Sequence, residues 1–324
     1  MSVRLKFNPA IEGLRGIAVL LVVMSHAGIP GMAAGFFGVD VFFVISGFLI
    51  TGLLSGELRA TGRLALWDFY ARRARRLLPA LLFMVITVSV LVVLLVPRSN
   101  WDISLDPGFW SLLWSSNIYF ALAGSEYFGA SAEQSLFLHT WSLGVEEQFY
   151  IVWPIILYAA WKRELFGFPM IAALVALGFL ACQAMLRWDG NAAYYLMPSR
   201  FWQLATGAAA WVFWSAHAQR VEESGRWLGP LGLALVAAGL GLVDRGRSYP
   251  GMFSLLPTVG AACLLLAVAD GGPRLAWLRN PVLQYVGRVS YGWYLWHWPF
   301  LLAPVAVGWM HPTPASTFVA VLLS

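Results

Sequence analysis

The stretch Phe7–His26, FNPAIEGLRGIAVLLVVMSH, decides the fold. It is apolar enough to enter a bilayer, yet it carries Glu12, Arg15 and His26. An ionisable group in hydrocarbon costs roughly 2.5–3.5 kcal/mol on insertion scales, so such groups turn toward a protein interior or a wet cavity. Arg15 and His26 are eleven positions apart. At about 100° per residue this is close to three full turns, which puts both on one helix face, roughly 16 Å apart along the axis. The stripe reads as one wall of an active site running along the membrane normal. The competing reading pairs Arg15 with Glu12 one turn earlier and leaves His26 at an interface.

The rest of the composition agrees with a membrane assignment. Hydrophobic residues make up 60% of the chain and charged residues 11%, with a mean hydropathy of +0.70; a soluble domain carries about 25% charged residues. The chain is therefore all-α, a polytopic transmembrane helical bundle. Its 17 Trp and 11 Tyr suit interfacial belts. The net charge of +5 marks cytoplasmic loops rather than a nucleic-acid partner. Cys182 and Cys263 each lie in an apolar segment, so no disulfide framework is implied, and no Cys/His spacing points to a metal. The basic N-terminus followed by an apolar run lacks a clear cleavage site and reads as an uncleaved first helix.

Hydrophobic runs near the roughly 20 residues needed to cross a bilayer predict about ten spans: 8–28, 36–55, 77–97, 142–161, 168–186, 200–216, 227–243, 253–269, 282–303, and a tenth from near Thr313, still apolar where the sequence stops. A polar, basic segment from Glu57 to Arg76 separates the second and third. The short apolar piece Phe109–Ala123 reads as re-entrant or interfacial. With the N-terminus inside, fourteen Lys and Arg fall in cytoplasmic segments, among them Arg4, Lys6 and the arginines of 72–76. Five, Arg98, Arg187, Arg200, Arg245 and Arg247, fall outside. This bias favours a cytoplasmic N-terminus.

Four further stretches carry candidate chemistry. In FYARRARRLLPAL, residues 69–81, Arg72, Arg73 and Arg76 fall at helical spacings and offer forked donors for phosphates, whereas Arg75 points off that face. Topology and lipid head groups explain such a cluster equally well. HTWSLGVEEQFYIVWP, residues 139–154, puts Glu146 and Glu147 at the start of a span, where a helix dipole alone favours acids. GFFGVDVFFVISGFLIT, residues 35–51, sets Asp40 level with His26, where it is expected to hold the imidazole in one tautomer. Ser46 and Gly47 in the same stretch read as a close-packing site. His297, among the aromatics of VSYGWYLWHWPF (289–300), reads as structural.

Taken in order, these five stretches resemble the bacterial acyltransferase-3 membrane family, most closely its O-antigen and peptidoglycan O-acetylase type. The resemblance covers essentially the whole chain, 1–324, as one transmembrane domain. It implies a ten-span enzyme of the bacterial inner membrane. Such an enzyme takes an acyl group, usually acetyl, from cytoplasmic acyl-CoA and delivers it to a hydroxyl of an extracytoplasmic carbohydrate, without a metal. The family's Arg-ten residues-His motif falls on Arg15 and His26, its RRxxR motif on Arg72, Arg73 and Arg76, and its helix-start acid on Glu146. Many members of this type continue into an eleventh span and a periplasmic SGNH-type domain; the sequence stops short of both, as expected of either a truncated piece or a stand-alone short form.

The implied mechanism has two ends. Acetyl-CoA docks its phosphates on Arg72, Arg73 and Arg76, the pantetheine arm runs along the Arg15 face, and His26 acts as general base, oriented by Asp40 or Glu146. An acyl-enzyme on His26 is the variant. The alternative from another class is a transporter whose permeation path is lined by Arg15, His26 and Glu146; such a protein has no reason to bind CoA. Membrane lipids are partners in either case, and nucleic acid in neither.

Overall fold

A computed structural model describes residues 7–98, 101–124, 127, 129, 134–243, 249–272 and 274–306. The described residues form helices joined by short turns, with no strand among them. In chain order the helices are α1 (Pro9–His26), α2 (Gly38–Thr61), α3 (Leu66–Leu95), α4 (Trp101–Leu112), α5 (Ser116–Leu122), α6 (Trp141–Lys162), α7 (Phe168–Trp188), α8 (Gly190–Tyr195), α9 (Met197–Ala216), α10 (Ala218–Leu242), α11 (Leu255–Val268) and α12 (Pro281–Ala306).

Local chemistry starts and stops these elements. Asn8 caps α1, its side chain accepting from the Ala10 amide, and Pro9 supplies a φ suited to the first turn. The Asn8 amide also donates to the carbonyl of Val268 across 2.7 Å, tying the start of α1 to the end of α11. Gly62 ends α2 at φ 69°, where its amide bonds to Leu58 O. The polar, basic segment 57–76 is largely helical. α2 runs on to Thr61 and α3 begins at Leu66, so the arginine cluster lies inside a 30-residue helix of about 45 Å. The expected interfacial piece around 109–123 is two short helices, α4 and α5, of 12 and 7 residues. Neither reaches the about 30 Å of a hydrocarbon core.

Helix pairs close on one another through glycines. A Cβ on Gly47 of α2 would fall 1.8 Å from Leu204 O of α9, and one on Gly207 of α9 would fall 1.9 Å from Val44 O of α2. The two backbones therefore touch reciprocally, as small residues permit in membranes. α1 packs the same way against α12: a Cβ on Gly287 would meet Glu12 O at 1.9 Å. The interior they enclose is rich in rings, with Phe43, Trp141, Phe149, Trp153 and Trp211 all within about one per cent of full burial.

The outer faces are apolar. Phe83, Ile86 and Leu94 of α3, and Leu177 and Leu180 of α7, are all more than half exposed, an arrangement water disfavours and lipid accepts. Among the described residues five helical segments are long and apolar enough to cross a bilayer: Pro9–His26, Ala33–Thr61, Leu66–Leu95, Phe168–Trp188 and Ala218–Leu242. The chain is an all-α membrane bundle, but a count of about ten is not reached on this basis. α6, α9 and α12 are long enough but carry polar and charged residues in their interiors. α11, with 14 residues, spans only about 21 Å. The expected tenth span from Thr313, and Arg4, Lys6, Arg245 and Arg247, lie outside the described residues.

Candidate active site

Arg15 of α1 and Arg72, Arg73 and Arg76 of α3 converge on one cavity of about 400 Å³, walled by α1, α2, α3, α6 and α12. Arg72 and Arg76 are one turn apart on α3 and exposed at the cavity wall, while Arg73 is half-buried. Arg75 does not line the cavity; its Nε turns back to Ala71 O. The rest of the lining is largely apolar, including Phe42, Phe43, Ile45, Leu49 and Leu143. The cavity thus joins a cationic region to a greasy one.

Each buried charge at this cavity has a partner. Arg15 pairs with Glu12 at 3.2 Å and donates to Ser290 Oγ at 3.0 Å, so the local pairing and the cavity wall both hold. Arg73 donates to Glu147 across 2.8 Å, and its guanidinium carbon sits 3.6 Å from the centroid of the Tyr150 ring. Glu146 is held by the hydroxyls of Ser46 and Tyr150, both donating to Oε1. Ser46 therefore does more than allow close packing. The Tyr291 hydroxyl reaches Leu77 O, bracing α12 against α3.

His26 is not in the lining of this cavity. It sits at the last turn of α1, with Nδ1 2.8 Å from His297 Nε2 and Nε2 3.1 Å from the Tyr127 hydroxyl. The two imidazole planes differ by 3°, and Trp298 abuts His26 edge-on at 4.7 Å. His297 is fully buried, and its Nδ1 lies 2.7 Å from Tyr294 O one turn back in α12. Tyr294 faces the cavity. Its hydroxyl donates to His139 O and lies 2.6 Å from Ser142 Oγ. One residue of α12 therefore links the arginine cavity to the histidine pair.

Two sequence expectations are corrected by this arrangement. Asp40 is engaged by Arg200 at 3.4 Å and by the Tyr249 hydroxyl. Arg200 is no loop residue: it is 1% exposed in α9, its Nε donating to Tyr194 O and its guanidinium over the rings of Trp141 and Tyr194. A buried guanidinium needs a counter-charge, which draws Asp40 toward α9. The position of imidazole partner, expected of Asp40, is held by His297. Glu146, expected near His26 as well, lies at the arginine cavity, because α6 begins only five residues before it and carries it inward.

His297 was legible as a second membrane histidine, but the aromatics around it matched a packing role. Tyr127 belongs to a segment without helical periodicity, and no sequence signal aims it at His26. Among the described residues no group of three His, Cys, Asp or Glu side chains is arranged to hold a metal ion.

The chain matches the family profile described as an acyltransferase domain over residues 8–324. It is 28% identical over 309 residues to the O-acetyltransferase OatA of Staphylococcus aureus strain NCTC 8325, an alignment covering 92% of this chain and 51% of that protein. It is 30% identical over 318 residues to the putative O-acetyltransferase SAS0844 of S. aureus strain MSSA476, covering 91% and 50%. The chain thus spans about half the length of the curated relatives it matches. No solved structure matches it. With the profile spanning five motif stretches that fold into one cavity and its adjoining histidine pair, the chain belongs to the acyltransferase-3 family.

Proposed function

We propose that the chain is a single transmembrane acyl-transfer domain of the bacterial inner membrane, with a cytoplasmic N-terminus. It moves an acyl group, acetyl foremost, from cytoplasmic acyl-CoA to a hydroxyl of an extracytoplasmic carbohydrate. The observation that carries this reading is α1 itself: Arg15 lines the arginine cavity, and His26, about 16 Å further along the same helix, meets a hydroxyl and a second imidazole. The names of the relatives supply the direction, O-acetylation.

In this reading Arg72, Arg73 and Arg76 take the CoA phosphates through charge-assisted hydrogen bonds, and the apolar lining receives the pantetheine arm. His26 takes the proton of the acceptor hydroxyl. The freed oxygen bonds to the thioester carbonyl carbon, the C–S bond breaks, and the departing thiolate recovers the proton from the imidazolium. Glu146 and Asp40 are then supports of the site rather than its orienters.

The test pairs two variants. His26→Ala abolishes acyl transfer to surface glycans, read by mass spectrometry of released acyl groups, and leaves acetyl-CoA affinity nearly intact by calorimetry. Arg15→Ala weakens both. Retained glycan acylation in His26→Ala at wild-type expression overturns the catalytic assignment. Absence of acetyl-CoA binding to the wild-type protein overturns the donor.

A further inference from the structure

We infer that His297 is a positioning residue that fixes the tautomer of His26, so that the proton-accepting atom of the reaction is His26 Nε2. This rests on the proposed transfer reaction and names the atom that performs it.

The argument starts at the far end of a hydrogen-bonded chain. His297 Nδ1 lies 2.7 Å from the carbonyl oxygen of Tyr294. A carbonyl only accepts, so this nitrogen carries a hydrogen. A neutral imidazole holds one N–H, which leaves His297 Nε2 with its lone pair. That lone pair faces His26 Nδ1 at 2.8 Å, so the hydrogen between the rings belongs to His26 Nδ1. By the same rule His26 Nε2 is bare, and the group in front of it must donate. The group there is the Tyr127 hydroxyl at 3.1 Å, which can. Every link is consistent with a single assignment, and it ends on an unprotonated nitrogen aimed at an O–H.

The geometry fits a device for orientation. The two rings lie within 3° of parallel and His297 is fully buried. The main chain of α12 holds the second ring in one tautomer, and the second ring holds the first. In hydrolases with a catalytic triad a carboxylate does this for the base; here a neutral imidazole does it, which avoids placing an unpaired anion in a membrane helix. The Tyr127 hydroxyl occupies the place where an acceptor hydroxyl has to donate, so a carbohydrate hydroxyl that displaces it meets Nε2 ready to receive the proton. The hydroxyl proton then passes to His26 Nε2, while the hydrogen on Nδ1 stays in its bond to His297 and the charged ring is stabilised by that bond.

The test reads tautomers without turnover. Protein labelled with nitrogen-15 at histidine, in detergent or nanodiscs, with His26→Gln used to assign the signal, shows His26 protonated on Nδ1 and bare on Nε2. The opposite tautomer overturns the inference, whatever the enzyme does. Kinetics supply the second arm. His297→Ala lowers kcat by about a hundredfold, within the range a well-placed base contributes, with KM for acetyl-CoA unchanged within about twofold. His297→Gln, whose side-chain oxygen accepts from His26 Nδ1, recovers at least about tenfold of that loss. Equal activity of His297→Ala and His297→Gln, with both binding acetyl-CoA as wild type does, shows a packing role and overturns the inference. An inactive wild-type protein with the Nδ1–H tautomer defeats the transfer reading and leaves the tautomer assignment standing.

Discussion

Arg73 donates to Glu147 across 2.8 Å, joining α3 to α6 through a pair whose side chains are 24% and 12% exposed. Buried partners of this kind are costly to separate, because whichever charge remains has lost its counter-ion. Arg73→Ala and Glu147→Gln each lower the thermal midpoint of the purified protein, and the double variant loses less than the sum. A coupling of about 1–3 kcal/mol is expected for charges in direct contact. A thermodynamic cycle from reversible unfolding in mixed micelles measures it, and strict additivity would show that the pair contributes nothing.

The cavity arginines separate by face. Arg72 and Arg76 line the cavity, whereas Arg75 bonds back to its own helix. A lost charge-assisted contact removes about 1.5–3 kcal/mol, so Arg72→Ala and Arg76→Ala each weaken acetyl-CoA binding by roughly tenfold or more. Arg75→Ala stays within about twofold. The comparison is a calorimetric titration of the three variants, and its outcome should also fade as salt is raised, since these side chains are exposed.

Glu146 accepts from two hydroxyls at one oxygen, Ser46 from α2 and Tyr150 from its own helix. Glu146→Gln keeps the volume but weakens both bonds, and it is expected to remove most transfer activity while inserting normally. Ser46→Ala costs less, about threefold to tenfold. Because Ser46 acts through Glu146, the double variant is no slower than Glu146→Gln alone. Transfer rates of the three proteins decide it; multiplying losses would show that the serine has a separate task.

Close helix contact makes its own forecast. A methyl group at Gly47 or Gly207 would overlap a backbone carbonyl, not a movable side chain. Overpacking typically costs 1–3 kcal/mol and sometimes more, so Gly47→Ala and Gly207→Ala sharply reduce folded yield and thermal midpoint. Gly56→Ala in the same helix, where nothing lies within 4 Å, leaves both unchanged. Size-exclusion profiles of the detergent-solubilised variants are sufficient.

Much of this molecule could be read from hydropathy alone. The expected boundaries of the first, fourth and fifth spans fall within two residues of α1, α6 and α7, because long apolar runs have one answer in lipid. The start of α3 was placed too late because its first three turns, with Asp68 and the four arginines, are too polar for a hydropathy run, although the helical spacing of the arginines was visible in the sequence. The cavity arginines were legible for the same periodic reason. The partners of Asp40 and His26 were not. Asp40–Arg200 and His26–His297 are 160 and 271 positions apart, and which carboxylate reaches which cation depends on how helices cross, a quantity that residue spacing within one helix does not contain. Glu146 shows the limit most clearly. It was read in the first turn of a helix, but that turn holds no acid: α6 begins at Trp141 and carries Glu146 in its second turn to the arginine cavity.

Tyr294 has a consequence for the cell that houses this protein. Its hydroxyl is latched to Ser142 and His139 on the cavity side, and its carbonyl is the terminus for His297 on the other. If transfer across the membrane runs as proposed, a continuous wet passage lined by arginines and titratable rings would drain the ion gradients that the cell spends its metabolism building. Tyr294 is the residue shared by the two regions: its ring lines the arginine cavity and its carbonyl anchors the histidine pair. On that reading, insulation and acyl delivery meet at one residue, and an acyl group moving from the arginines toward His26 passes beside a single aromatic ring.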